Sequence, residues 1–115
     1  MPIKNHDIDL VVAATNTLLQ DLSKHITVDD MLKLTYMHRH KLQALFREHY
    51  GTTVVAYFVF QKMVRATRLL KETRKTEKEI AISLGYQAPN FISAFKKHLG
   101  CTPGEYRKGA FMRAC

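Results

Sequence analysis

The chain has 115 residues, 46% of them hydrophobic, with 18 Lys+Arg against 10 Asp+Glu and a net charge of +8. That length suits one domain, and the apolar fraction excludes a disordered tail because enough surface can be buried to offset chain entropy. The charge favours a polyanionic partner; no apolar run approaches a bilayer span and the start MPIKNHDIDL lacks a signal-peptide core, so a cytoplasmic protein with no membrane partner is expected.

From the N-terminus, Asp7 is placed to cap a helix over about 7–23 that turns Ile8, Val11, Val12, Leu18, Leu19 and Leu22 inward. Thr27-Val-Asp-Asp30 is a capping-box pattern that starts a two-turn helix over about 28–35, too short to persist without packing. After a break at Tyr36-Met37, a second helix over about 38–50 carries Leu42 and Phe46 at i and i+4 and stops at Gly51. Tyr36 stands where a glycine would make the turn without strain, so the turn must be made differently there.

Residues 53 to about 73 read as one unbroken helix with Tyr57, Phe58, Met63, Ala66, Leu69 and Leu70 on a buried stripe. At 1.5 Å per residue it spans about 30 Å, near the ~34 Å that separates major-groove segments on one face of a duplex. Thr76-Glu-Lys-Glu79 then opens a short helix over about 77–84, Gly85-Tyr86 breaks it, and a helix over about 89–99 carries Phe91 and Phe95 and stops at Gly100. Pro103 starts a closing helix through about 108.

The halves repeat. Thr27 and Thr76, Met31 and Ile80, Leu42 and Phe91, Phe46 and Phe95, His49 and His98, Gly51 and Gly100, Thr53 and Thr102, and Tyr57 and Tyr106 all stand 49 positions apart. Two helices joined by a short turn describe a helix-turn-helix, whose second helix enters the major groove. The expected fold is therefore all-α, with about seven helices in a homeodomain-like arrangement. Two helix-turn-helix subdomains, about 7–52 and about 74–108, are joined by a linker helix over about 53–73.

The stretch Glu79-Ile-Ala-Ile-Ser-Leu-Gly-Tyr86, followed by Phe91-Ile-Ser-Ala-Phe-Lys-Lys-His-Leu-Gly-Cys-Thr-Pro-Gly-Glu-Tyr-Arg107, resembles the signature of the AraC/XylS family of transcription regulators. Leu42-Gln-Ala-Leu-Phe-Arg47 with Gly51 and Tyr57 matches as well, and the likeness runs from about 8 to 108. It implies two recognition helices in successive major-groove segments, regulation of transcription with activation among its forms, and contact with RNA polymerase in some members. Lys41–Phe46 with Gly51–Val54 is most similar to the branch around the siderophore-responsive pyochelin regulator. Three positions depart from the pattern. The turn between Gly85 and Phe95 is one residue short, Tyr36 replaces a glycine, and Leu32 replaces a small residue.

In the first recognition helix, Arg39, His40, Gln43, Ala44 and Arg47 face outward. Arginine can grip guanine, glutamine can grip adenine and a small apolar group can meet the thymine methyl, so Arg39, His40, Gln43 and Ala44 are the base-reading candidates. In the second they are Gln87, Asn90 and Ser93; the resemblance maps positions that often carry base-reading arginine onto Ala44 and Ser93, so this helix is expected to give more affinity than specificity. Phosphate contacts are expected from His38, Arg47, Thr53, Thr76, Lys96, Lys97, Thr102 and Arg107, with part of the run Lys62 to Lys78 assisting.

Other chemistry finds little support. His38 and His40 diverge on a helix and no Cys, Asp or Glu completes a metal set, while Cys101 and Cys115 have neither zinc nor disulfide-framework spacing. No catalytic triad, glycine-rich phosphate loop or paired carboxylate is present, so neither an enzyme nor a cofactor is expected. Val59 and Phe60 look outward, where RNA polymerase or an N-terminal effector domain lying outside these residues would dock. The competing reading is a non-specific nucleic-acid or protein-docking module on the same fold.

Overall fold

A computed structural model describes residues 5–109. Its seven helices are α1 (Asn5–Leu19), α2 (Val28–Thr35), α3 (Arg39–Tyr50), α4 (Val54–Glu72), α5 (Glu77–Ser83), α6 (Ala88–Leu99) and α7 (Pro103–Arg107), and the described residues contain no strand. The chain divides into two compact units at Val59 and Phe60, within α4.

In the first unit α1, α2 and α3 pack on one another around Val11, Ala14, Met31, Leu42, Leu45 and Phe46. The buried Thr15 is satisfied locally, its hydroxyl donating to the Val11 carbonyl at 2.8 Å. α1 ends at Leu19 rather than near Ser23 because the Asp21 carboxylate accepts the Ser23 N–H at 3.0 Å, a local turn that competes with helical bonding. Asp7 lies inside the first turn of α1 rather than capping it, and its carboxylate meets Lys41 Nζ at 3.0 Å.

The capping box of α2 is complete. Asp30 N–H donates to Thr27 Oγ1 at 3.4 Å and Thr27 N–H donates to the Asp30 carboxylate at 2.8 Å. Tyr36 closes α2 in the left-handed region, φ 56° and ψ 25°, with its N–H on the Leu32 carbonyl at 2.8 Å. It thus makes the same kind of left-handed turn as Gly85, at φ 80°, and not a different one as the sequence suggested; the helix C-terminus imposes that conformation even on a bulky residue.

The second unit is built on the same plan. The rest of α4 buries Met63, Ala66 and Leu70, and α5 and α6 pair around Ile80, Ala81, Leu84, Phe91 and Phe95. Thr76 and Thr102 head complete capping boxes on α5 and α7. Their partners Glu79 and Glu105 have carboxyl pKa values held below the ordinary range, first by the backbone N–H of Thr76 or Thr102 and then by that threonine's hydroxyl. Cys101 is buried. Of the linker stripe, Phe58, Met63, Ala66 and Leu70 are buried, whereas Tyr57 and Leu69 are half-buried.

The repeat seen in sequence is a repeat in space. Phe46 meets Tyr57 edge-on at 5.5 Å and 79°, and Phe95 meets Tyr106 edge-on at 5.7 Å and 75°. Gly51 and Gly100 end α3 and α6 at φ 77° and 84°. α3 and α6 start 49 positions apart, at Arg39 and Ala88, but α5 ends at Ser83, one position before the counterpart of Thr35, so the turn before α6 spans 84–87 and the turn before α3 spans 36–38.

Candidate nucleic-acid interface

Each recognition helix owes its orientation to the residues it buries. Leu42, Leu45 and Phe46 fix α3 in the first unit and leave Arg39, His40, Gln43, Ala44 and Arg47 exposed. Phe91 and Phe95 fix α6 in the second unit and leave Asn90, Ser93, Lys96 and Lys97 exposed, with Ala94 half-exposed. The polar faces are what remains once the apolar positions are satisfied.

His38 and Gln87 precede these helices as N-cap residues, and neither side chain makes a cap hydrogen bond. The other three helices with an N-cap threonine and an acid three residues on, α2, α5 and α7, all close their own first turn. His38 and Gln87 therefore keep exposed side chains that do not cap the helices they precede.

The first unit brings three of the sequence candidates together. Gln43, Arg47 and Thr53 line one open groove with Val28, Val54 and Val55. Arg39 forms an ion pair with Asp29 on α2, and with both side chains half or more exposed the pair is a weak one that water can exchange. Sequence reasoning missed this pairing because the two residues lie ten positions apart in different helices.

Three phosphate candidates have duties inside the fold. The Arg107 guanidinium donates to the Leu70 carbonyl at 2.9 Å and the Thr73 carbonyl at 3.2 Å, tying α7 to the end of α4. The Thr76 and Thr102 hydroxyl oxygens accept helix N–H groups in their capping boxes. Thr53 also caps, accepting the Ala56 N–H at 3.2 Å, but it does so at the rim of the Gln43 and Arg47 groove.

Charge is divided unevenly. The first unit holds six Lys+Arg against six Asp+Glu, whereas the second holds twelve against four, so the second carries the entire net charge of +8. Five of the six histidines belong to the first unit. Lys62 is buried in α4 and lies over the Tyr86 ring at 5.3 Å, and burial raises the Tyr86 phenol pKa. Among the described residues no group of three His, Cys, Asp or Glu side chains is placed to hold a metal, and no helix is long and apolar enough to cross a membrane.

Two compact units, each presenting a polar recognition helix after a tight turn, define a tandem helix-turn-helix DNA-binding domain. Known proteins agree. The family described as "Helix-turn-helix domain" matches residues 31–109. A lactose operon transcription activator of Staphylococcus xylosus is 35% identical over 106 residues, covering 91% of this chain and 37% of that protein. A putative AraC-like transcription regulator of Streptomyces lividans is 36% identical over 102 residues, 87% of this chain and 34% of that one. The DNA-binding domain of AdpA, solved with a target DNA, superposes with a TM-score of 0.81 at 23% identity, covering 90% of this chain and 95% of that domain. The chain belongs to the AraC-type helix-turn-helix family of DNA-binding transcription regulators. It spans little more than a third of the length of the curated relatives just described.

Proposed function

We propose that the chain reads duplex DNA with α3 and α6 in successive major-groove segments, α3 supplying most of the base discrimination and the second unit most of the electrostatic affinity. The observation that carries this division is the charge distribution: the unit whose recognition helix offers Arg39, His40, Gln43 and Ala44 has no net charge, and the unit with fewer base-gripping side chains holds all of it. Arginine and glutamine read base edges, whereas excess cations bind any sequence by releasing counterions.

Base contacts are assigned to Arg39, His40, Gln43 and Ala44 in the first unit and to Gln87, Asn90 and Ser93 in the second; phosphate contacts fall to His38, Arg47, Thr53, Lys96 and Lys97. Arg107, Thr76 and Thr102 are left out because they serve the fold. The reading extends to RNA polymerase and to an effector domain on the same polypeptide, supported by relatives much longer than this chain, and to work at the nucleoid in the cytoplasm. Selecting bound sequences from random duplexes tests it. Enrichment of two half-motifs that survives excess random competitor is expected, whereas no enrichment and an affinity that collapses with salt would show a non-specific module instead.

A further inference from the structure

Tyr36 is held where its backbone is strained and its side chain touches almost nothing. Its φ of 56° makes it the one non-glycine residue with positive φ among those described, and at 91% it is far more exposed than any other large hydrophobic side chain. Its structural task, closing α2 through an N–H bond to the Leu32 carbonyl, belongs to the backbone alone. Gly85 turns the chain after α5 at φ 80°, where glycine bears no Cβ penalty. A glycine at position 36 would serve the fold better, so the phenol acts on something outside the chain.

Its surroundings say what. Residues 35–41 are Thr-Tyr-Met-His-Arg-His-Lys, four of them basic or imidazole and none acidic, and they lead directly into the exposed polar face of α3. A tyrosine hydroxyl is a regular donor to phosphate oxygens, and its ring is an amphipathic plate that packs on sugar. We propose that Tyr36 contacts the DNA sugar–phosphate backbone at the edge of the groove that α3 enters. The hydroxyl donates to a phosphate oxygen and the ring lies against the adjoining sugar. This rests on the duplex-reading function proposed above.

The test compares Tyr36→Gly and Tyr36→Phe with the unaltered 115-residue chain. Thermal melting is measured, together with titration against a duplex selected by the chain and a scrambled duplex of equal length. Tyr36→Gly should raise Tm by a few degrees while weakening both duplexes about fivefold, and the slope of log Kd on log salt should stay unchanged because no charge is removed. Tyr36→Phe should keep the original Tm and weaken both duplexes about threefold. A raised Tm with Kd within about twofold of the unaltered chain would overturn the inference, leaving Tyr36 to a protein partner or to none. Loss of affinity together with a fall in Tm would overturn it too, since the phenol would then be packing within its own unit. Failure of the unaltered chain to bind either duplex would instead defeat the duplex-reading function itself.

Discussion

The two units share a framework and differ in what they present. Capping threonines, left-handed turns, closing glycines and an edge-on Phe–Tyr pair recur 49 residues apart. The first unit adds a groove with Gln43 and Arg47 and balances its charges; the second adds eight net positive charges and one proline-led recognition helix. One scaffold can thus be divided between selectivity and grip, because the buried face that makes the fold and the exposed face that meets the ligand occupy different positions on the same helix.

Truncating the shared framework should have the largest effect. Phe46→Ala and Phe95→Ala each remove a fully buried ring and should cost about 3–5 kcal/mol in chemical denaturation. Equal losses would support structural equivalence, and a loss confined to one unit would break it. Function should then separate what structure shares. Gln43→Ala should cost about 1–3 kcal/mol on the selected duplex and almost nothing on random DNA, while Lys97→Ala should weaken both alike and lower the salt slope by about one. Identical behaviour of the two variants would end the proposed division.

Smaller effects probe the turns and caps. Gly85→Ala should destabilise by roughly 1–2 kcal/mol, because φ 80° is strained for any L side chain. Thr27→Ala and Thr76→Ala should each cost about 1 kcal/mol in Tm-derived stability. The pH dependence of the caps has a definite sign. Glu79 and Glu105 have depressed folded pKa values, so their stabilisation is full above the unfolded value of about 4.3 and is lost as pH falls through the folded values. Melting from about pH 6 downward should show a shallower acid decline in Glu79→Gln than in the unaltered chain.

Much of this was legible in the residues. The offset of 49 located both helix pairs, the capping boxes marked the starts of α2 and α5, and Gly51 and Gly100 marked the ends of α3 and α6. What escaped depended on partners distant in sequence. Asp7 has cap chemistry, but Lys41 claims it from α3; Arg107 looks like a surface cation, but carbonyls 34 and 37 residues away claim it. The extent of α1 escaped for the opposite reason, a very local one. The side chain of Asp21 offers Ser23 a bond that a hydrophobic pattern cannot register. For the outward residues, sequence and fold agree on exposure, and titration with DNA decides their roles.

The Arg107 clamp also sets where the polypeptide tolerates being cut. The second recognition helix ends at Leu99, so a shortened chain stopping soon after Gly100 would keep every assigned base reader. It would lose the two donors that cover the terminal carbonyls of α4. Amide protons in the last turn of α4 should then exchange faster, and fraying should propagate back toward Ala66 and Leu70, part of the apolar surface buried in the second unit. The smallest autonomous piece is therefore set by a side chain that reads no base.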